Sequence, residues 1–483
     1  MIDVLIIGGG VVGCGVAREL SRYDLDVVVL EKTDDISNGQ SKANTAIVHG
    51  GYDAHPGTAK AKFNVLGNKR MEQVCTELDV PFQRNTSMIL SFNPDGHDKL
   101  AALQKQGQVN GVQGMYIINQ EELRRREPNI GSSAYEALVI EAGGIVCPYE
   151  LTQAFAENAA MNGVRFIREA KVTAVTKVDS GWKVTSTAGT FTAKAVVNCA
   201  GLYADEINNM VSQEKYTITP RRGEYYIVDK KYAGTFHASL FQLPTEMGKG
   251  VLVTPTVDGT LLIGPTAEDI DDKTDTRTTA EGLAKALRLA GLTWEQIPTR
   301  AFITTFSGLR AHCNRDDFVV GEAPDAPLFF NAGGIESPGL TSSPAIAQYL
   351  AECVAEKLGA AENKAFNPIR KGIPKFREMT DQQRAKAISV NPEYAKIVCR
   401  CEIVTEAEIR EAIRRPVGAR TVDGIKRRTR TGMGRCQAGF CTPKTLQILS
   451  EELNLSPLEV TKFGGKSNYL EGYLFEKGGS EDA

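Results

Sequence analysis

Val4-Leu-Ile-Ile-Gly8-Gly-Gly10-Val-Val-Gly13 is the stretch that decides the fold of this 483-residue chain. An apolar strand enters a Gly-x-Gly-x-x-Gly turn that opens a helix, and a second strand, residues 27–30, ends in Glu31. In such a βαβ unit the glycines allow a tight turn, the helix N-terminus binds a pyrophosphate, and the acidic residue accepts ribose hydrogen bonds. The alternative is a glycine turn before a packing helix. The stretch predicts a dinucleotide site made by Gly8, Gly10, Val11, Val12, Gly13, Glu31 and Lys32.

Composition and charge limit the class of protein. The chain is 42% hydrophobic and 24% charged, as expected for a globular protein of two or three domains, and its net charge is -3. That charge predicts neither nucleic acid nor an anionic membrane as a partner. The first strand follows Met1 almost at once, and no run reaches the ~18 apolar residues of a membrane span. These features predict a cytoplasmic location.

The first 360 residues or so alternate strand-like and helix-like patterns, which is typical of an α/β architecture with an inserted sheet. Three strands end in glycine turns: residues 4–10, 195–201 and 328–334. Between them, residues 224–228 and 250–263 show β-branched alternation with a Val257-Asp-Gly259 turn. This pattern predicts a second, mainly antiparallel sheet over the substrate.

Four cysteines near the C-terminus form two close pairs, Cys399-x-Cys401 and Cys436-x4-Cys441. Four thiolates at this spacing favour one tetrahedral-sulfur centre, either a 2Fe-2S cluster or zinc. Glycines around Cys436 favour iron–sulfur, because they let backbone N–H groups approach the sulfides. The basic run 426–430 precedes the second pair. It is interpreted as balancing the cluster charge, as docking an acidic partner, or as a solvated helix face.

Several longer motifs identify a resemblance that spans nearly the whole chain. The first 360 residues resemble FAD-dependent oxidoreductases of the D-amino-acid oxidase fold, and residues 397–455 resemble the bacterioferritin-associated-ferredoxin type of 2Fe-2S domain. The motifs of the first part are Ser41-x-x-Asn44-Thr-x-x-Val-His-Gly-Gly51, Gly144-Ile-Val-Cys-Pro-Tyr149, Asn198-Cys-Ala-Gly-Leu-Tyr-Ala-Asp205, Arg222-Gly-Glu-Tyr225, Ser307-Gly-Leu-Arg310 and Gly334-Ile-Glu-Ser-Pro-Gly-Leu340.

This resemblance implies a domain plan. A Rossmann-like FAD-binding part comprises residues 1–85, 148–212 and 303–362, and the substrate sheet comprises residues 86–147 and 213–302. Within 1–365 these form one oxidoreductase domain, followed by a linker at 366–394, a small helical 2Fe-2S domain at 395–455 and a tail at 456–483.

The resemblance also implies further FAD contacts. The helix after the turn at 333–339 directs its N-terminal dipole toward the flavin and favours the anionic reduced form. The expected contact residues are Ser41, Asn44, Thr45, Val172, Ala200, Gly201, Gly334, Gly339, Leu340 and Thr341.

The substrate is expected to be a small anionic hydroxy compound. Arg310 is the predicted anion clamp, because a guanidinium binds carboxylate or phosphate bidentately; a structural ion pair is the alternative. His49 is the predicted base, with a hydrogen-bonding role against the flavin as its alternative, and His312 is the second candidate. Arg222 is predicted either to add a second positive contact or to cap the sheet.

Two substrates remain open. The domain order resembles that of the anaerobic glycerol-3-phosphate dehydrogenases, whereas the catalytic part is also similar to the L-2-hydroxyglutarate oxidases. Leu252 stands where the hydroxyglutarate enzymes carry a histidine, and His49-Gly-Gly-Tyr-Asp53 lacks an arginine that glycerol-phosphate enzymes carry. The ferredoxin-like tail favours glycerol 3-phosphate.

The pairing of two electron carriers predicts a dehydrogenase that passes electrons from FAD through the cluster to a protein acceptor. A second flavoprotein subunit is one candidate for that acceptor, which can also attach the chain peripherally to a membrane. A dioxygen-using oxidase and an electron-transfer subunit of a larger complex are the alternatives.

Overall fold

The computed structural model describes residues 1–243 and 250–472, and the chain divides into two units. The first unit comprises Met1–Lys32 and Ile36–Gly372. The second comprises Thr33–Asp35 and Ile373–Ala483.

Strands and helices alternate along the first unit. Its described strands are β1 (Ile2–Ile7), β2 (Val27–Leu30), β3 (Ile47–Val48), β4 (Phe82–Gln83), β5 (Ser87–Ser91), β6 (Met115–Ile118), β7 (Glu136–Ile140), β8 (Gly144–Val146), β9 (Arg165–Ile167), β10 (Val172–Val178), β11 (Gly181–Ser186), β12 (Gly189–Asn198), β13 (Ile218–Val228), β14 (Ser239–Gln242), β15 (Leu252–Pro255), β16 (Leu261–Gly264), β17 (Glu268–Asp269), β18 (Phe302–Cys313), β19 (Val319–Ala323) and β20 (Ala326–Gly333). Its described helices are α1 (Val11–Leu20), α2 (Ala59–Leu78), α3 (His97–Val109), α4 (Gln120–Arg126), α5 (Pro148–Met161), α6 (Ala204–Asn208), α7 (Ala280–Ala290) and α8 (Gly339–Leu358).

An eight-stranded sheet forms the first layer of this unit, in the order β10-β11-β12-β1-β2-β9, with β20 beside β12 and β19 beside β20. Strands β12, β1, β2 and β9 run parallel, and so does β20 beside β12. Continuous apolar runs such as β2 suit a sheet that is covered on both faces. Helix α1 packs against α5 and α8. This arrangement confirms the predicted Rossmann-like layer.

A nine-stranded sheet forms the second layer, in the order β17-β13-β16-β15-β14-β5-β7-β6, with β18 beside β13. Its described pairs are antiparallel except β14 with β5, which confirms the predicted mainly antiparallel sheet. The sheet buries an apolar core that includes Leu90, Val139, Leu240 and Trp294.

Strand β18 differs from its predicted place. Residues 303–362 were assigned to the FAD-binding part, but β18 pairs along its whole length with β13 and so belongs to the nine-stranded sheet. Each ladder pair satisfies backbone groups, and a twelve-residue strand has many of them to satisfy.

The second unit has β21 (Ile397–Cys399), β22 (Val404–Thr405), α9 (Asp381–Val390), α10 (Glu406–Arg414), α11 (Val422–Thr429) and α12 (Thr442–Leu453). Capping boxes start α9 at Thr380 and α10 at Thr405, since each hydroxyl and the acid or amide three residues later satisfy two helix-end donors. The predicted linker at 366–394 thus contains a capped helix.

The helices of the described part of the chain include none long and apolar enough to cross a membrane.

Candidate functional site

The glycine turn after β1 is shaped for close approach of a ligand. Gly8 has φ +110°, and a Cβ at that position would overlap the carbonyl of Cys199. A Cβ at Gly13 would overlap the carbonyl of Gly8. Helix α1 begins at Val11 without a side-chain cap at Gly10, so its N-terminal dipole faces the turn. These features fit the pyrophosphate of a dinucleotide.

Glu31 and Lys32 follow β2 beside the same turn. The Glu31 carboxylate accepts a hydrogen bond of 2.7 Å from the Gly9 N–H. The Lys32 ammonium lies 3.6 Å from the ring centre of Tyr203, and burial lowers the pKa of Lys32. The carboxylate therefore lies at the edge of the turn, where a ribose would be bound.

The other predicted glycine turns lie at the same sheet edge. Strand β12 pairs in parallel with β1 through Ile7 and Asn198, and β20 pairs with β12 through Asn198 and Asn331. Parallel neighbours end at one edge, so Ala200–Gly201 and Gly333–Gly334 follow their strands beside the first turn. Three turns that are separated in sequence are thus brought together.

Loop 40–46 closes this edge from a second side. The Val11 N–H donates to the Ser41 hydroxyl at 2.9 Å. The Asn44 amide donates to the carbonyls of Gln40 and Ser41 and accepts from the Ala46 N–H. Asn44 therefore holds the loop in shape, and the neighbouring Thr45 is half-buried.

Val172 starts β10, where it pairs with Ser186 in the outer part of the eight-stranded sheet. This is consistent with the backbone contact predicted for it at the adenine half, which stays a prediction.

His49 follows β3 and is 6% exposed. Its backbone N–H donates to the Thr341 hydroxyl at 2.8 Å, and its Nε2 lies 3.4 Å from the Ser337 hydroxyl. Its ring centre is 5.8 Å from that of Phe241. The backbone of His49 is thus fixed by the first turn of α8, and its imidazole lies between Ser337 of the preceding turn and Phe241 of β14.

Arg310 leaves β18 on the same face as Tyr225. In the β13–β18 ladder Arg310 is opposite Arg221, and Tyr225 is opposite Phe306, with the two rings stacked 4.5 Å apart. Burial raises the pKa of Tyr225, while the Arg310 charge and hydrogen bond act against that rise. The guanidinium also donates to the Thr266 carbonyl at 2.5 Å.

Gly223 explains one predicted motif. A Cβ at this position would overlap the Nη2 atom of Arg310. The glycine of Arg222-Gly-Glu-Tyr225 therefore leaves room for the arginine of the neighbouring strand.

Arg222 lies on the opposite face of β13, because successive side chains of a strand alternate between faces. Its guanidinium bonds to Glu268 at 2.7 Å and Asp275 at 3.2 Å, and it is 6% exposed. The alternative prediction, that Arg222 caps the sheet, agrees with this placement. The predicted substrate contact is wrong, because Arg222 cannot act on the face that carries Arg310.

His312 belongs to a network that sequence reasoning missed. Its Nδ1 lies 3.2 Å from Glu336, whose carboxylate also pairs with Lys60 at 2.8 Å. Burial would raise the pKa of Glu336, but the His312 hydrogen bond and the Lys60 charge lower it to about 2. Glu336 lies within the motif that begins at Gly334, but its partners His312 and Lys60 come from other segments of the chain.

Gln40 is a second missed residue. Its amide donates to the Ile335 carbonyl at 2.8 Å and accepts from the Ala311 N–H at 2.9 Å. One side chain thus joins β18 to the turn before α8, which carries Ser337 toward His49. Only the tertiary structure reveals this bridge.

The four predicted cysteines meet in the second unit. The Sγ atoms of Cys401 and Cys436 are 3.5 Å apart, and Cys399 and Cys441 are hydrogen-bonded. Cys399 and Cys441 are buried, whereas Cys401 is exposed. Among the described residues no group of three or more His, Cys, Asp or Glu side chains is set to hold a metal ion as it stands, so the two sulfur pairs would close around a cluster when it binds.

Backbone donors surround one of these sulfurs. The hydrogen bond from Cys441, together with the N–H groups of Gly432 and Glu402, lowers the pKa of Cys399 to about 6. A Cβ at Gly434 would overlap the Cβ of Cys401. Glycines and N–H···S bonds are what an iron–sulfur cluster requires of its loop.

The basic run before the second cysteine pair forms internal ion pairs. Arg427 and Arg428 are buried and bind the Asp35 carboxylate at 3.0 and 2.6 Å, and Arg430 binds Glu402 at 2.8 Å. The interpretations of this run as a docking patch or as a solvated helix face are therefore wrong for these arginines.

Comparison with known proteins identifies both parts. Residues 3–353 match the family model described as FAD dependent oxidoreductase, and residues 397–451 match the BFD-like [2Fe-2S] binding domain. The chain belongs to the FAD-dependent oxidoreductases and carries a 2Fe-2S domain of the BFD-like type. Its cofactors are FAD and a 2Fe-2S cluster, and the cluster domain implies a protein electron acceptor.

Particular relatives narrow the class. The chain is 49% identical, over 96% of its length and 96% of the other, to a glycerol 3-phosphate dehydrogenase of Caloramator mitchellensis. An L-2-hydroxyglutarate dehydrogenase of Escherichia coli is 29% identical over 55% of this chain and 64% of its own. The FAD-bound L-alpha-glycerophosphate oxidase structure from Mycoplasma pneumoniae has a TM-score of 0.72 at 29% identity, over 77% of this chain and 99% of that chain.

Proposed function

We propose that this enzyme oxidises glycerol 3-phosphate to dihydroxyacetone phosphate and passes the electrons through its 2Fe-2S cluster to a protein acceptor. The observation that carries the proposal is the Arg310–Tyr225 face of β18 and β13, on which Gly308 packs against Ala43 of loop 40–46. The relative that matches both parts of the chain supports it, because its name specifies glycerol 3-phosphate.

Oxidation of a secondary alcohol removes a hydride from carbon and a proton from the hydroxyl group. Bound FAD supplies the hydride acceptor. His49 Nε2 is the proposed proton acceptor, since imidazole is the side chain that exchanges protons near neutral pH. The Ser337 hydroxyl, 3.4 Å from Nε2, orients the ring, and Phe241 excludes water from one side.

Arg310 is the proposed clamp for the phosphate. Its planar guanidinium offers two parallel donors to phosphate oxygens, and its bond to the Thr266 carbonyl fixes its direction. Tyr225 lies beside it and can donate a further hydrogen bond. Glu336 acts indirectly: by binding Lys60 and His312 it fixes the turn that carries Ser337.

L-2-hydroxyglutarate is the second candidate substrate, favoured by the relative of that name. One residue argues against L-2-hydroxyglutarate as the substrate. Leu252, which stands where the hydroxyglutarate enzymes carry a histidine, is 3% exposed and packs in an apolar cluster with Ile89 and Phe241. That position therefore supplies no base in this chain.

We further propose that the enzyme is cytoplasmic, since the four proposed cluster ligands need reduced thiols and a reducing compartment keeps them so. A second flavoprotein subunit is the proposed acceptor, and it would also bring the enzyme to a membrane surface.

Anaerobic bleaching of the flavin absorbance tests the substrate. We expect sn-glycerol 3-phosphate to bleach it within one turnover, and its enantiomer and L-2-hydroxyglutarate to leave it yellow. Bleaching by L-2-hydroxyglutarate alone would transfer the proposal to the second candidate. A flavin that no small hydroxy compound bleaches would identify an electron-transfer subunit instead.

A further inference from the structure

The loops around the cysteine quartet expose apolar side chains beside the cluster ligands. Phe440 directly precedes Cys441 and is 86% exposed, and Ile403, two residues after Cys401, is 41% exposed. A single exposed apolar side chain is common on a protein surface, but here two of them lie on the loops that carry Cys401 and Cys441.

The backbone of these loops is strained. Ile403, Gln437 and Ala438 have φ of 53°, 47° and 71°, in the left-handed region that favours glycine. Ile403 is β-branched, for which this conformation is a genuine outlier. Such strain persists where the surrounding structure enforces it, and it concentrates at functional surfaces.

Basic residues also flank the cysteine ligands. Arg400 and Arg435 are exposed, and each directly neighbours a cysteine ligand, Cys401 and Cys436. Arg427, Arg428 and Arg430 of the same domain pair with Asp35 and Glu402, so the charge at this surface is that of Arg400 and Arg435.

We infer that Arg400, Cys401, Ile403, Arg435 and Phe440, here called the cluster edge, form the surface on which the proposed acceptor protein docks with an acidic face and takes up one electron at a time; this rests on the proposed function. Exposed Cys401 gives a short path out of the cluster, whereas Cys399 and Cys441 are buried. Phe440 supplies an apolar contact, and the two arginines attract a negatively charged partner. Each transfer oxidises the cluster by one electron and reduces one acceptor centre by one electron.

Rapid mixing tests the inference with two probes, an acidic blue-copper protein and a basic cytochrome c, both of high potential. The full-length protein is reduced photochemically, so the result does not depend on the substrate. We expect the acidic probe to be reduced faster, at a rate that falls with ionic strength. A faster reaction with the basic probe would overturn the inference.

Variants locate the surface. Phe440→Ser and the pair Arg400→Glu with Arg435→Glu should each slow reduction of the acidic probe about tenfold, and the charge reversal should speed the basic probe. The matched controls are Val109→Ser and Lys105→Glu, exposed residues of α3 in the first unit, which should change neither rate. Preparations are compared at full cluster absorbance, and the Phe440 and arginine variants serve as independent tests.

Titration calorimetry measures the affinity of the acidic probe for the protein when both are oxidised, so that no electron transfer takes place. This affinity should weaken in the same variants and not in the controls. Unchanged rates and binding in both cluster-edge variants would overturn the inference. So would a loss of self-association in Phe440→Ser with unchanged rates, since a second copy of the chain would then cover this surface. If glycerol 3-phosphate fails to bleach the flavin while these results hold, the substrate proposal alone fails.

Discussion

Arg310 leaves β18 on the face that also carries Tyr225, whereas Arg222 leaves β13 on the other face and binds Glu268 and Asp275. A charged residue in a motif can therefore serve the substrate or the sheet, and only the strand register decides which. One sequence does not give the register in which β13 pairs with β18. A shift of that register by one residue would exchange the two faces of the strand. The predicted place of Arg310 beside the flavin and its role as clamp both stay predictions.

Arg310→Ala should retain the yellow FAD but lower kcat/KM for glycerol 3-phosphate about 100-fold. A hydrogen bond to a charged group contributes about 1.5–3 kcal/mol. A bidentate pair, counted as two bonds at the lower value, contributes about 3 kcal/mol, which corresponds to a loss of about 100-fold. Steady-state kinetics with an artificial acceptor measures the effect. Arg300→Ala is the matched control, because Arg300 is exposed just before β18. An unchanged kcat/KM in Arg310→Ala would show that the clamp is misassigned.

Glu336 makes stability depend on pH. Its pKa is lowered from 4.5 to about 2 in the folded chain. A carboxylate with a lowered pKa stabilises the fold above its unfolded pKa, and that contribution disappears as the pH falls from about 4.5 toward 2. Glu336→Gln should therefore cost on the order of 3 kcal/mol at pH 7 and little near pH 2.5.

Thermal unfolding of both proteins between pH 7 and pH 2.5, with excess FAD, measures the difference in stability. Glu121→Gln, at an exposed position of α4, is the control. A difference that stays constant with pH would contradict the assigned cause.

At the scale of elements, the parts predicted best were those with local signals. The β1–α1–β2 unit has its glycines, helix start and acid within 31 residues. The Gln40 bridge and the Lys60–Glu336–His312 network join segments hundreds of residues apart. No local pattern encodes such contacts, so sequence reasoning could not find them.

The loop between the cysteine pairs should tolerate no side chain at Gly434. Gly434→Ala should lower the 2Fe-2S absorbance and the iron content per chain severalfold while FAD stays bound, because the new Cβ would overlap that of Cys401. Visible absorption spectra and iron analysis check this. Gly472→Ala, where a Cβ meets nothing within 4 Å, is the control. Full cluster occupancy in Gly434→Ala would show that the loop binds the cluster in another conformation.

At the scale of the whole molecule, two units with separate cores carry two kinds of redox cofactor. The quartet of cysteines predicted the second cofactor from spacing alone, but left iron–sulfur and zinc open until the family comparison. The sequence alone left three interpretations of the basic run 426–430 open. Its ion-pair partners Asp35 and Glu402 lie outside the run and are brought to it only by folding.

Electron paramagnetic resonance after anaerobic addition of glycerol 3-phosphate tests the central claim most directly. The account predicts that the flavin bleaches and that the signal of a reduced 2Fe-2S cluster develops in the same sample, with at most one spin per chain from the cluster. A bleached flavin without any cluster signal, in protein shown to contain two irons per chain, would contradict the claim that electrons from the substrate enter the four-cysteine centre.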